Sequence, residues 1–289
     1  MATASYAVTQ VPPTMLTPPP GDTPCVVWAS FEFRDINAIH DEAETFEFTG
    51  VMTLRWMDAR LAFDPAVVGV KEQVFQGEYQ FNELAAGWYP QVVLVNESGM
   101  LDKHGVVLRV KPDGSCTLIE TINATAKCTF RMRRFPFDSQ QLQAKFQVLG
   151  FDRDSVELRV DPEAGAVARE SANVPQWTIQ SAGLSVVDKP EQYGGTRAVT
   201  TTFVANAHVA RDAFYICRLI VIPLTIIVLL SFSVFWMDRS SLGDRLGVSF
   251  IGILTGVAFQ LVISDFLPRI SYFTLVHGFV NLSFLTMCA

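Results

Sequence analysis

The chain has 289 residues, 49% of them hydrophobic and only 18% charged, so it is more apolar than a typical soluble protein and long enough for about two domains. The formal net charge of -7 is uneven: residues 211–289 hold five Arg and four Asp, a net of +1, which leaves -8 on residues 1–210. That acidic stretch argues against a nucleic-acid binder, which needs a basic face; it suits cations near its surface and serves plain solubility equally well.

Residues 1–24 form a Pro-rich leader with no basic n-region and no apolar h-region, so they are not a signal peptide as written. From Cys25 to Ala210 the dominant period is two. In TFEFTGVMTLRW, Phe46, Phe48, Met52, Leu54 and Trp56 face one way, and Glu47, Thr49, Thr53 and Arg55 the other. QLQAKFQV, SVELRV and VTTTFVANA repeat the pattern, and KPDG at Lys111–Gly114 and YGG at Tyr193–Gly195 supply turn signals. Many short half-buried strands predict an all-β, immunoglobulin-like sandwich over residues 25–210. The five cysteines, Cys25, Cys116, Cys128, Cys217 and Cys288, include no CxxC pair, so no metal site is expected; their spacing permits a Cys25–Cys116 disulfide and requires none.

At Arg211 the text changes. Leu219–Met237 and Leu246–Ser264 each run 19 residues without a charge, and Ile270–Ala289 is a third apolar run that holds His277 and Asn281. About 20 apolar residues span a bilayer core. Residues 211–289 therefore read as an α-helical membrane domain with spans near 215–237, 245–265 and 270–289. The linkers DRSSLGD and DFLPR are short, so successive spans form hairpins. Arg239 and Arg245 place the first linker in the cytoplasm, which puts the β-sandwich outside the cell membrane of a multi-pass protein. No Ser/His/Asp set, phosphate loop or HExxH points to an enzyme, and no cofactor is implied.

Several motifs are specific in their order and spacing. Cys128 is followed by Phe135-Pro136-Phe137-Asp138 and Leu142; WMDARL covers Trp56–Leu61; WYPQVVLVN covers Trp88–Asn96; Arg211 precedes Pro223 by twelve residues; SFSVFW, DRL and LPR mark the ends of the first two spans. Together they resemble the pentameric ligand-gated ion channels, the Cys-loop receptor superfamily. Leu142 stands where animal members place the second loop cysteine, so that disulfide cannot form; bacterial members share this lack, and the chain resembles them. Gln91 and Val95 depart from the family pattern Trp-x-Pro-Asp-x-x-Leu-Tyr-Asn. The family's fourth span has no counterpart in the residues given, which suggests a truncated sequence or a subunit that needs a partner.

The resemblance implies a homopentamer in a lipid bilayer that passes monovalent cations when a small-molecule agonist binds between subunits. A ligand-binding membrane receptor without conduction is the alternative. The pore register, anchored on Arg245 and Pro268, assigns Asp244, Gly247, Ile251, Leu254, Ala258, Leu261 and Asp265 to the channel lining. Periodicity alone does not choose this stripe, because Phe250 and Val257 are apolar too. Ile251, Leu254 and Leu261 would form apolar rings that gate by dewetting, and rings of Asp244 and Asp265 favour cations. These two carboxylates are 21 residues apart, about 31 Å of helix.

The agonist cage is where the resemblance fails. Val95, Leu149 and Val51 replace cage aromatics, while Tyr193 and Arg197 remain in the third loop and Tyr89 and Phe151 lie near in sequence. That argues against a choline-like amine. An anionic group near Arg197, or protons acting at His208 and His277, are the other readings. The acids at Asp41–Glu44 read as a solvated turn rather than a divalent-cation site. The resemblance also implies a gating junction of Asp41, Glu42, Phe135, Pro136, Phe137, Asp138, Arg211, Pro268 and Arg269, in which the Phe-Pro-Phe loop presses on the linker around Leu267 and Asp138 pairs with Arg211. NES and NAT match glycosylation acceptors.

Overall fold

The computed structural model describes residues 15–21, 24–77, 87–163, 174, 176–192, 198–238, 240–264, 267 and 271–288. Among these residues ten strands lead, and apolar helices follow. The strands are β1 (Cys25–His40), β2 (Thr45–Met57), β3 (Gln73–Gln76), β4 (Val92–Leu94), β5 (Glu97–Val110), β6 (Ser115–Lys127), β7 (Ser139–Val148), β8 (Val156–Val160), β9 (Trp177–Pro190) and β10 (Val199–Arg211). They form a six-stranded sheet ordered β3-β5-β6-β2-β1-β8 and a four-stranded sheet ordered β4-β7-β10-β9. All neighbours pair antiparallel except β1 with β8.

The alternating pattern is what drives the two sheets together. The side of β2 carrying Phe46, Phe48, Met52, Leu54 and Trp56 is buried, as is the side of β7 carrying Leu142, Ala144, Phe146 and Val148. Phe31 of β1 bridges the layers, its ring 5.3 Å from Phe146 and 5.0 Å from Phe33. Gly50 leaves the space for that ring, because a Cβ there would drive into Phe31. Where β8 meets β10 at the sandwich edge, the Leu158 amide donates to Thr201 Oγ1 at 2.8 Å. One alternation breaks: Gln147 is buried, and its amide nitrogen donates to Thr202 Oγ1 at 2.9 Å and the Pro190 carbonyl at 3.2 Å.

The KPDG turn closes β5 onto β6 with Gly114 at φ +86°, where a Cβ would strike the Asp58 carbonyl at 2.5 Å. YGG lies outside the described residues. Cys25 and Cys116 are free thiols in the core and do not form the permitted disulfide. Burial, then the charge of Asp58, pushes Cys25 up to about 11 and Cys116 up to about 12.

Among the described residues two helices are long and apolar enough to cross a membrane, Ala213–Trp236 and Leu242–Ile263; a third, Leu275–Cys288, is apolar and 14 residues long. The first loosens into a π-helical turn at Cys217–Val221, just before Pro223, whose missing N–H breaks the regular ladder. The second helix packs on the other two through small residues. A Cβ on Gly252 would meet Ser231, and one on Gly256 would meet Met287 Cε at 3.1 Å.

Two expectations follow. Gly50→Ala overpacks the Phe31 cluster and lowers stability by about 1–3 kcal/mol, read as a fall in thermal midpoint of the purified protein. At pH 8 in the native state Cys25 and Cys116 resist alkylation, and both label once the chain is denatured; peptide mass spectrometry reads the difference, and native labelling at either site would contradict their burial.

Candidate functional site

The sandwich and the helices meet at Arg211, the last residue of β10, twelve positions before Pro223. Its guanidinium is 4% exposed and enclosed on every side. Nε donates to Asp138 Oδ1 at 2.9 Å, and Nη2 lies 2.9 Å from Asp41 Oδ2. The planar group also lies 4.1 Å from the centre of the Trp177 ring and 4.8 Å from that of Phe135. Backbone register fixes this arrangement: Arg211 pairs with Trp177 across the β9–β10 ladder, and its amide donates to the Asp138 carbonyl at 3.1 Å. Asp138, 1% exposed at its side chain, also accepts from Gln140 Nε2 at 2.6 Å.

The Phe-Pro-Phe loop splits its side chains in a way the sequence does not reveal. Phe135 and Pro136 are buried, but Phe137 is 63% exposed. Phe135 lies against the Arg211 guanidinium. The loop grips the start of the third helix through its backbone. The Leu275 amide donates to the Arg133 carbonyl at 3.1 Å, the Met132 amide donates to Tyr272 Oη at 3.0 Å, and Tyr272 Oη donates to the Phe130 carbonyl at 3.4 Å. Leu267 packs against the core, and Pro268 and Arg269 lie outside the described residues. Glu42 is exposed beside Asp41. Trp177, Gln140 and Tyr272 are junction residues that sequence reasoning missed. A simple count along the β9–β10 hairpin sets Thr178 opposite Arg211; the bulge at His208 and Val209 shifts the register by one and brings Trp177 there instead.

On the second helix, Ile251, Leu254 and Leu261 are 66%, 69% and 70% exposed, and Asp244 and Ala258 are exposed with them. Gly247 is half-exposed. At 100° per residue this stripe centres opposite the buried Gly256 and Ile263. Phe250 and Val257 share the exposed side, at 69% and 38%, so exposure by itself does not set the register. Asp265 lies outside the described residues.

The cage positions separate into two places. Tyr89, Val95, Leu149 and Phe151 gather at the β4–β7 end of the four-stranded sheet: the Leu149 amide donates to the Gln91 carbonyl and the Val95 amide to the Lys145 carbonyl, both at 2.8 Å, and Phe151 meets Trp88 at 5.8 Å. Burial, then the Glu120 charge, pushes the Tyr89 phenol up, so it stays neutral. Val51 is on the outward side of β2, in the other sheet, and does not join them within one subunit. Tyr193 and Arg197 lie outside the described residues. Asn96 of the NES motif is used internally: its Nδ2 donates to the Lys127 and Gln143 carbonyls at 2.8 and 2.7 Å, and its Oδ1 accepts from the Lys145 amide at 3.0 Å. Among the described residues no group of three His, Cys, Asp or Glu is placed to hold a metal ion.

Residues 13–208 match the neurotransmitter-gated ion-channel ligand-binding domain. The chain belongs to the pentameric ligand-gated ion channels of the Cys-loop superfamily. Members are membrane channels with an extracellular ligand-binding domain, and they are not enzymes. The chain is 28% identical to a proton-gated ion channel of Gloeobacter violaceus over 273 residues, which is 94% of this chain and 73% of that protein. It is 22% identical to a gamma-aminobutyric acid receptor subunit beta of Caenorhabditis elegans over 268 residues, 91% of this chain and 46% of the relative. It is 26% identical to the human gamma-aminobutyric acid receptor subunit rho-2 over 245 residues, 82% of this chain and 51% of that subunit. The chain thus spans about half the length of these animal subunits.

The junction geometry makes a direct prediction. Arg211→Met strands two carboxylates, one of them fully buried, and costs about 3–5 kcal/mol of stability. Trp177→Leu removes a desolvated cation–π contact and costs about 2 kcal/mol, whereas Trp177→Phe keeps a ring and recovers part of it. Thermal unfolding of the purified protein measures all three, and equal midpoints for the Leu and Phe variants would refute the cation–π contact.

Proposed function

We propose that this chain is a subunit of a homopentameric, agonist-gated cation channel, with residues 25–210 as the extracellular ligand-binding domain and 211–289 as a multi-pass pore domain. The observation that carries the reading is the face of the second helix that its own subunit leaves uncovered. It runs from Asp244 through Ile251 and Leu254 to Leu261, opposite the glycines that pack inward. Five such faces around an axis enclose a lumen. Ile251, Leu254 and Leu261 then make apolar constrictions that hold no water until they widen, and the Asp244 carboxylates select cations at the cytoplasmic mouth.

Agonist at the subunit interface biases the closed–open equilibrium by binding one state more tightly. Val51 on one subunit faces the Tyr89–Phe151 cluster of its neighbour in this assembly. The Arg211 junction carries the change onward, because it bonds the β1–β2 turn and the Cys128–Leu142 loop to the end of the strand that leads into the first helix, and the loop's backbone holds the third helix. Proton gating is the second reading. A proton-gated relative and the aliphatic cage positions Val51, Val95 and Leu149 both favour it over an amine agonist.

Reversal potentials in asymmetric salt test selectivity: they follow the cation gradient, and tracking chloride would exclude a cation channel. Asp244→Ala moves the cation-to-anion permeability ratio toward unity. Leu254→Ser wets the constriction and raises agonist-free flux in proteoliposomes; unchanged flux would place Leu254 off the conduction path. A step from about pH 7.5 to about pH 5, across the histidine range and toward that of the carboxylates, opens the channel without organic ligand if protons are the agonist.

A further inference from the structure

A polar cleft of about 650 Å³ opens on the outward side of the four-stranded sheet, between the end of β6, the Cys128–Asp138 segment and β10. Among the described residues its lining charges have one sign: Lys127, Arg131 and Lys145 line it with His208, and no described Asp or Glu does. None of these three cations makes an ion pair among the described residues. Lys127 and Arg131 are exposed and Lys145 half-exposed, so solvent screens their mutual repulsion, but three like charges grouped in one cleft within a stretch of net charge -8 make a local positive potential that attracts an anion.

The cleft is built on rigid parts. Lys145 sits mid-strand in β7, and His208 lies opposite Gln141 in the β7–β10 ladder. Gln140, 3% exposed, lines the cleft and holds its loop side: Oε1 accepts from the Arg131 amide at 3.0 Å, and Nε2 donates to the Arg131 carbonyl at 3.3 Å. The same Nε2 donates to Asp138, the carboxylate that pairs with Arg211.

We propose that this cleft is a binding site for an oxyanion, a phosphate or carboxylate group held by Lys127, Arg131 and Lys145. The group belongs either to a small solute or to a lipid headgroup. The cleft's size admits a molecule larger than the bare ion. Bound charge there fixes Arg131, and through Gln140 it stiffens the Asp138–Arg211 pair. The site uses none of the cage residues, so it stands or fails apart from the agonist and from ion selectivity.

Titration of the purified protein in detergent with inorganic phosphate, followed by calorimetry, is expected to show saturable binding and a raised thermal midpoint. The double variant Lys127→Gln/Lys145→Gln weakens that binding about tenfold or more, since each lost bond is a charge-assisted one. A second arm compares nanodiscs of phosphatidylcholine with and without phosphatidylglycerol. Stabilisation by phosphatidylglycerol that the double variant lacks, without phosphate binding, assigns the oxyanion to a lipid headgroup. Equal binding in wild type and variant, or none in either arm, overturns the site. So does loss of the native assembly on size exclusion in the variant, which would make these cations part of a contact between copies.

Discussion

Arg211 joins the last strand to the first helix, and its charge is satisfied there almost without water. A guanidinium so buried is costly unless every face of it has a partner. Two carboxylates pair with its N–H groups and the centres of two aromatic rings lie 4.1 and 4.8 Å from its central carbon, a set of partners that suits a planar, weakly hydrated cation better than an ammonium. Those four partners come from the β1–β2 turn, the Cys128–Leu142 loop and the start of β9. No one of these segments can shift without disturbing the other partners of the same charge. This constraint ties the end of β10 to the turn and loop beside it, and the Leu275 and Tyr272 hydrogen bonds tie that loop to the third helix.

The helices obey the opposite logic. Their hydroxyl side chains bond carbonyls of their own helix rather than a neighbour, so packing is decided by where the backbone can approach. Gly252 and Gly256 mark that side of the second helix. The side left over carries large aliphatic residues that no part of the same subunit covers. In a bilayer or around a lumen such a side has a use. In water it would be a liability, because exposed patches of this extent drive association. The π-helical turn before Pro223 belongs to the same picture, since a proline in a long helix has to leave a carbonyl without its regular donor.

Particular residues show how far the sequence could be read. The strand pattern of β2 and β7 was legible because burial on one face enforces a period of two, and Phe46, Phe48, Leu142 and Phe146 keep it. Gln147 broke the pattern invisibly: a buried amide satisfied by Thr202 looks, in a string of letters, like any surface glutamine. Asn96 read as a glycosylation acceptor because the motif is three letters long, while its three hydrogen bonds are to backbone groups far along the chain. The Phe-Pro-Phe loop raised the right question, why apolar side chains sit in a loop, but only the fold sends Phe135 inward to Arg211 and leaves Phe137 outside.

The sequence by itself determined the two-part organisation and the family. Both are written locally, one in hydropathy and period, the other in short motifs whose order survives without any knowledge of contacts. It determined likewise that Asp138 and Arg211 belong to one junction, through resemblance. The tertiary structure alone decided what completes that junction and what surrounds it: Trp177 against the guanidinium, Gln140 beneath Asp138, Tyr272 under the loop, and three cations gathered in one cleft. Such groupings depend on strand register and sheet order, which place residues dozens of positions apart within hydrogen-bond reach, and no local pattern of side chains encodes those distances.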